Sequence, residues 1–352
     1  MSSGPKRRTA ALVIAIATAA ACSSGDAPAP VATDPCVEPA TGLPTDVFCT
    51  GLYVGRNPAI HAESALPYKP GATLWSDGAE KRRFLYLPPD TTIDSSDLDA
   101  WKFPVGTKAW KEFRVEGKLV ETRIFWKRNA TQWDAGTYVW DEGGTSAILN
   151  IAPKGIVLSN GYEIPTLKDC DKCHHGGSDK LLGIEAVALA LPRAEGLTLT
   201  ALVQRGALSH PPHDTAATLP EDATGKAGEA VGVLHANCGM PCHSGRGLGD
   251  ETRLRLRLRA GELWPDGTTL SPVALADTEI YRATVSQPPS TASVAQGFPG
   301  ALRLTPGAHE QSLVWLLSHL RGSYQMPPLV SHRIDEAGTQ TVADWIDALP
   351  PP

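Results

Sequence analysis

Between His61 and Asn150 the apolar residues fall in short runs rich in β-branched and aromatic side chains. Arg83–Leu87, Ala109–Val115, Leu119–Trp126 and Gly136–Trp140 are such runs, and strands that bury one face explain them. Turn residues separate the runs: Pro89-Asp90, Asp141-Glu142-Gly143-Gly144, and Val115-Glu116-Gly117-Lys118, which reads as a hairpin turn. Two half-buried faces can pack on each other, so residues 61–157 are predicted to form an all-β, sandwich-like domain.

Beyond Leu158 the strand pattern thins and a helical period takes over. Leu199, Leu202 and Val203 share one side of Leu197–Leu208, which stops at Ser209-His210-Pro211-Pro212. Ala230–Ala236 is a second helix-like run. Glu310–Leu320 places Leu313, Leu316, Leu317 and Leu320 together, and Ala337–Leu349 does so with Val342, Trp345, Ile346 and Leu349 before the closing prolines. The expected architecture is therefore multidomain, with the β domain followed by a mainly α-helical region. Asp214–Glu229 is acidic and reads as a connection, so 216–229 is assigned as a linker between segments 158–215 and 230–352. Arg253 to Arg259 alternates arginine with leucine, as a half-buried strand or extended segment would.

Composition refines this picture in three ways. Of 352 residues, 42% are apolar and 20% charged, as in folded chains rather than disordered ones. A net charge of −6 argues against a nucleic-acid surface, which needs a concentrated basic patch. The first residues look like an address rather than a fold: Lys6, Arg7 and Arg8 precede an apolar stretch, Thr9–Ala21, too short to span a bilayer. Small residues then meet Cys22, and the segment resembles a bacterial lipoprotein signal. That resemblance implies a signal peptide over 1–21, a lipid anchor on Cys22, and a tether and N-terminal arm over 22–60. It places the chain in the bacterial cell envelope, as an outer-membrane lipoprotein facing the periplasm or exterior. An ordinary cleaved signal is the alternative, and it too places the chain outside the cytoplasm.

Seven cysteines then have to be read for an oxidising compartment. Cys36 and Cys49 stand apart, and a disulfide between them would close a short loop containing Pro39 and Pro44. Cys170-Asp171-Lys172-Cys173-His174 carries a stronger signal. Two thiols nearly one helical turn apart can form thioethers with the two vinyl groups of haem, and the next imidazole can meet the iron; C-x-x-C-H is read as a c-type haem attachment site. A disulfide would leave His174 unexplained, and a thioredoxin-like motif wants a clear preceding strand. Cys238-Gly239-Met240-Pro241-Cys242-His243 repeats the arrangement with one extra residue, which must bulge for both sulfurs to reach one vinyl pair. A simple disulfide between Cys238 and Cys242 and a four-cysteine zinc site joining the two pairs are the rivals.

Distal ligands are the next requirement. Met326, in Gln325-Met326-Pro327-Pro328, is the candidate at the second iron, because Met1 leaves with the signal and Met240 lies inside the motif. No methionine remains for the first, where His210 or His213 is the expected ligand; His61, His235 or a vacant position are the alternatives.

Cys238, Cys242, His243, the Met326-Pro327 loop and the final helix together resemble a class I cytochrome c domain. From about Ser64 the chain is also similar to a poorly characterised group of bacterial extracytoplasmic proteins with an N-terminal β region and C-terminal haem c segments. Thr73–Ala79, Phe103–Thr107, Glu121-Thr122-Arg123, Tyr138–Glu142, Leu234–Cys238, Met326-Pro327-Pro328 and Trp345-Ile346 carry that likeness. The resemblance implies a cytochrome c-like fold for 230–352, two covalently attached haem c groups, Met326 as distal ligand and an unidentified redox partner protein. Electron transfer is the expected function. A dihaem peroxidase or other haem oxidoreductase, and a non-redox structural or binding lipoprotein, are the competing readings. One or more arginines of 253–259 could then meet haem propionates.

Overall fold

The computed structural model describes residues 41–351 except Ser178, together with Met1, Gly4, Cys36 and Pro39. Thr9–Ala21 and Cys22, on which the export and lipidation expectations rest, lie outside the described residues. Chain contacts divide the protein between Pro35 and Cys36, and the unit from Cys36 onward is described below.

In chain order its strands are β1 (Tyr53–Val54), β2 (Asn57–His61), β3 (Leu66–Lys69), β4 (Glu80–Tyr86), β5 (Lys108–Val115), β6 (Lys118–Lys127), β7 (Trp133–Trp140), β8 (Ala147–Leu149), β9 (Ile156–Val157), β10 (Glu163–Ile164) and β11 (Glu195–Gly196). The helices are α1 (Leu167–His174), α2 (Ala186–Ala190), α3 (Leu199–Gln204), α4 (Ala227–Leu234), α5 (Ala260–Leu263), α6 (Glu279–Arg282), α7 (Ala292–Gly297), α8 (Leu313–His319) and α9 (Glu336–Ala348). β11, β3, β4, β5, β6, β7 and β8 form one seven-stranded sheet in that order, antiparallel throughout. The β5–β6 hairpin turns on Glu116 and Gly117, whose φ values of 51° and 77° are those a two-residue turn with right-handed strand twist requires.

Register assigns the two sheet faces. Phe84, Trp110 and Ile124 are cross-strand partners on one face. They pack beneath the N-terminal arm, where Val47, Phe48, Leu52 and Tyr53 meet Trp126, Tyr138 and Trp140. The Cys36–Cys49 disulfide ties down that arm. On the opposite face Leu85, Ala109 and Phe125 join Val187, Leu189, Leu199, Leu234, Leu256 and Trp345 in one buried cluster.

This arrangement corrects the expected fold class, a sandwich-like domain followed by a mainly helical cytochrome c-like region. Alternation reports that a strand has a buried face but not what covers it. Here the covers are the N-terminal arm and short helices, not a second large sheet. Helix is the minor component: α9, the longest, has 13 residues, and 264–312 contains only short helical pieces between turns and extended chain. Proline and glycine, 30 and 33 in number, account for the interruptions. Arg253 is a left-handed turn residue, and Leu254–Arg259 lies in no helix or ladder. Its leucines turn inward, while Arg255 pairs with Asp250, Arg257 with Asp99 and Arg259 with Glu279.

Residues 214–229 are pinned rather than loose. The Asp214 carbonyl accepts from the Trp264 indole at 2.9 Å, and the Asp222 carboxylate from the Trp345 indole at 2.9 Å. Glu221 accepts from the Ala227 and Gly228 amides at the start of α4. Among the described residues no helix is long and apolar enough to cross a membrane.

Candidate functional site

A capping box sets the start of α1. Thr166 Oγ1 accepts from the Asp169 amide, and the Asp169 carboxylate accepts from the Thr166 amide at 3.2 Å. The helix then carries Cys170, Cys173 and His174 across the inner face of the sheet near β7, with Cys170 hydrogen bonded to Thr137. The His174 ring lies 4.4 Å from that of Phe125, centroid to centroid. Its Nδ1 is 2.6 Å from the Lys180 carbonyl. A carbonyl only accepts, so Nδ1 carries the proton and Nε2 keeps its lone pair. Desolvation by burial, reinforced by the nearby Lys111 cation, lowers the His174 pKa to about 3, so the imidazole is neutral at ordinary pH.

α4 delivers the second motif. Its last turn widens into a π-helical turn over His235–Gly239, with the Met240 amide bonded to the His235 carbonyl and the His243 amide to the Cys238 carbonyl, each five residues back. A wide turn takes up the extra residue between Cys238 and Cys242, so the two sulfurs remain about one turn apart. Gly239 is the residue that fits, because a Cβ there would run into the Leu256 backbone. His243 is held as His174 is. Thr252 Oγ1 donates to the Gly249 carbonyl at 2.6 Å and so accepts from His243 Nδ1 at 3.3 Å, and the backbone at Leu254 and Gly249 adds hydrogen bonds to the ring. Burial lowers the His243 pKa to about 4. Gly249 lies flat against this ring, where a Cβ would come within 2.5 Å of it.

The fold packs the motifs against each other. Ser244 Oγ donates to the Gly176 carbonyl at 3.2 Å, and a Cβ on Gly176 would approach the Pro241 carbonyl to 2.7 Å. Cys173 and Cys242 share a thiol hydrogen bond, which lowers the Cys173 pKa to about 7 and raises that of Cys242. Burial pushes Cys238 up to about 12 and raises Cys170 as well. All four thiols are free. They line one predominantly apolar depression together with both histidines and Met326, and it encloses about 2400 Å³ of space, open solvent included. The Met326 amide donates to the Leu317 carbonyl at 2.7 Å, fixing its loop to the end of α8.

The other candidate ligands stand elsewhere or are engaged. His210 and His213 are exposed and lie outside the depression; Ser95 holds the His210 backbone, and His213 pairs with Asp214 at 2.8 Å. The structure therefore does not bring either of them to the first motif. His61 lies over the opposite sheet face, stacked on Phe84 and 2.9 Å from Glu112. His235 does line the depression, but its Nδ1 accepts from the Leu258 amide and its Nε2 faces Glu185 at 3.4 Å.

Sequence reasoning missed the sheet's part in the wall. Arg83, Lys111 and Arg123 line it beside the first motif. The signal was available: each occupies an inward position of a strand whose alternation had been recognised. Among the described residues no three histidine, cysteine or acidic side chains converge to hold a metal ion, as a four-cysteine zinc site would require. A tetrapyrrole asks only one or two protein ligands per iron. Comparison with protein-family models, curated proteins and solved structures gave no match.

Proposed function

We propose that the protein is a c-type electron carrier of the bacterial cell envelope, with a haem tethered at each cysteine–histidine motif. The observation that carries this reading is the pairing, twice over, of two free thiols with a buried, neutral imidazole whose Nδ1 is held by a neighbouring oxygen. Both sets face one apolar depression, and Met326 adds a thioether to its wall. The donor set suits covalently held haem: thiols for thioether bonds, imidazole nitrogen for iron. When bound, the group supplies one-electron chemistry at iron, and a thioether ligand raises its potential. The chain's own part is to orient each imidazole through Lys180 or Thr252, to limit water with apolar side chains, and to retain the cofactor through cysteine.

A haemochrome spectrum, intact mass and iron content of protein made in a maturation-competent host test this. Two added haem masses per chain are expected; material without any would end the reading. Met326→Ala is expected to abolish the long-wavelength absorption feature of histidine/methionine ligation, and an unchanged spectrum would remove Met326 from the second iron.

One observation favours a second reading. With His210 and His213 outside the depression and His235 engaged, the first iron has no identified histidine opposite His174. An open position suits a haem oxidoreductase such as a peroxidase. Peroxide turnover with a suitable electron donor separates it from simple electron carriage.

A further inference from the structure

The loop between β3 and β4 touches both sides of the second candidate site. The Trp75 amide donates to Asn237 Oδ1 at 2.7 Å, and Asn237 is the residue before Cys238. The Asn237 side chain is itself steadied by the Val233 carbonyl, to which its nitrogen donates at 3.0 Å. Two residues after Trp75, Asp77 reaches the other side. Its carboxylate accepts from the His332 amide at 2.9 and 3.2 Å and from the Arg333 amide at 3.2 Å. These amides stand six and seven residues beyond Met326. Between the two points Lys81, on β4, anchors the loop by donating to the Leu74 carbonyl and the Ser76 hydroxyl. Leu74, Trp75, Ser76 and Asp77 line the depression, as does the chain from Met326 to Ser331.

Asp77 is 5% exposed, so its carboxylate needs donors, and hydrogen bonds to a charged acceptor are the stronger kind. Its φ of 47° is left-handed, and Gly78 follows at 79°. The receiving loop is bent as well: Val330 has a φ of 47°, a costly value for a β-branched residue that persists only where neighbours hold it. Several of those neighbours belong to the loop or to the end of α8. Gln325 Nε2 donates to the Pro327 and Ser331 carbonyls at 3.1 and 2.9 Å. The Arg321 guanidinium donates to the Arg333 carbonyl and, at 3.3 Å, to Ser331 Oγ. Two contacts tie the loop to the sheet region. One is the pair of the His332 ring with Glu163, which is half exposed and therefore weak. The buried one is Asp77.

We infer that Asp77 is a positioning residue for Met326, and that the loop of residues 73–79 is a clasp by which the sheet sets the span between the second cysteine–histidine motif and the methionine. This rests on the reading of Met326 as the distal ligand of the second haem. Asn237 fixes one end of the clasp beside the tethering cysteine, and Asp77 fixes the other on the chain that carries the thioether. A thioether is a weak, neutral ligand, so its hold on iron depends on how firmly the fold presents it. Opening the clasp therefore favours an added ligand at that position. It also lowers the potential, because thioether ligation is what raises it. The β region then does more than stand beside the site; it tunes it.

The test uses the matured full chain, with haem counted by mass at Cys238 and Cys242. Asp77→Ala is expected to weaken the long-wavelength feature of histidine/methionine ligation and to lower the potential of the second centre. Its ferric form is expected to bind added imidazole about tenfold more tightly, the effect of losing one good hydrogen bond. Asp77→Asn keeps an oxygen for the two amides and is expected to stay near wild type in all three, which separates the lost hydrogen bond from general damage. Should Asp77→Ala fail to fold, the wild-type chain still decides. Coupling is reciprocal, so imidazole that displaces Met326 is expected to speed amide hydrogen exchange at His332 and Arg333. A folded Asp77→Ala chain with wild-type spectrum, potential and imidazole affinity, or exchange that imidazole leaves unchanged, would overturn the clasp alone, provided that Met326→Ala removes the long-wavelength feature. Persistence of that feature in Met326→Ala would instead remove the ligand assignment and the clasp with it. Absence of haem mass from the wild-type chain would remove the parent reading and everything resting on it.

Discussion

Thr252 shows how much of the second site hangs on one hydroxyl. Its proton goes to the Gly249 carbonyl and its lone pair to His243 Nδ1, so it helps to fix which imidazole nitrogen carries the proton. Thr252→Val keeps the shape and removes the acceptor. The buried Nδ1 proton is then left without this partner, and urea unfolding is expected to show a loss of about 1–3 kcal/mol. An unchanged midpoint would mean that the ring is held by other groups. The cysteines and histidines were legible one by one, because each motif is contiguous. Lys180 and Thr252 were not, because a carbonyl or a hydroxyl that orients an imidazole leaves no spacing rule in the chain. His210 and His213 stand just beyond α3, from where the chain could return to the first motif, but a turn tied to Ser95 carries them elsewhere.

At the scale of elements, α1 is eight residues long and depends on its start. Thr166→Ala removes half of the capping box and is expected to cost about 1 kcal/mol at neutral pH. The contribution depends on pH in a definite direction. The Asp169 carboxyl is held below its usual pKa, first by the Thr166 hydroxyl and then by Lys172 and the Thr166 amide. A depressed carboxyl stabilises the fold above its unfolded pKa, near 3.9, and loses that contribution as pH falls through the lower folded value. The difference between wild type and Thr166→Ala is therefore expected to shrink below about pH 3.9, as measured by denaturation at stepped pH. A constant gap would locate the effect of Thr166 outside the box. Strand alternation placed β4 to β7 and the Glu116-Gly117 turn well, because period and turn chemistry are local. The predicted helix over Glu310–Leu320 contracts to α8 because Ser312, extended and bonded through its hydroxyl to Thr305 and Ala308, separates the 3-10 turn His309–Gln311 from Leu313.

For the whole molecule, the decisive fact is a core that does not respect the predicted domain boundaries. Leu85, Ala109 and Phe125 from the sheet share one cluster with Leu234, Trp345 and Ile346 from α4 and α9. Residues 61–352 are accordingly expected to unfold in one cooperative transition, with tryptophan fluorescence and far-ultraviolet circular dichroism superimposing along a denaturant curve. Two separated transitions would restore independent domains. Composition and period suggested a β part and a helical part. The packing of one on the other was not legible, since apolar stripes do not name their partners.

The seating of α1 across the sheet bears on how this chain can be divided. A fragment begun at residue 230 would keep Cys238, Cys242, His243 and Met326 but lose the Gly176 carbonyl that receives Ser244 and the aliphatic surface under α4. A fragment ended at residue 157 would keep Arg123 paired with Glu121 but present Arg83 and Lys111 to solvent without the helices that cover them. Swapping such pieces between proteins would transplant sequence without transplanting a site, so engineering here has to proceed by substitution within the intact chain.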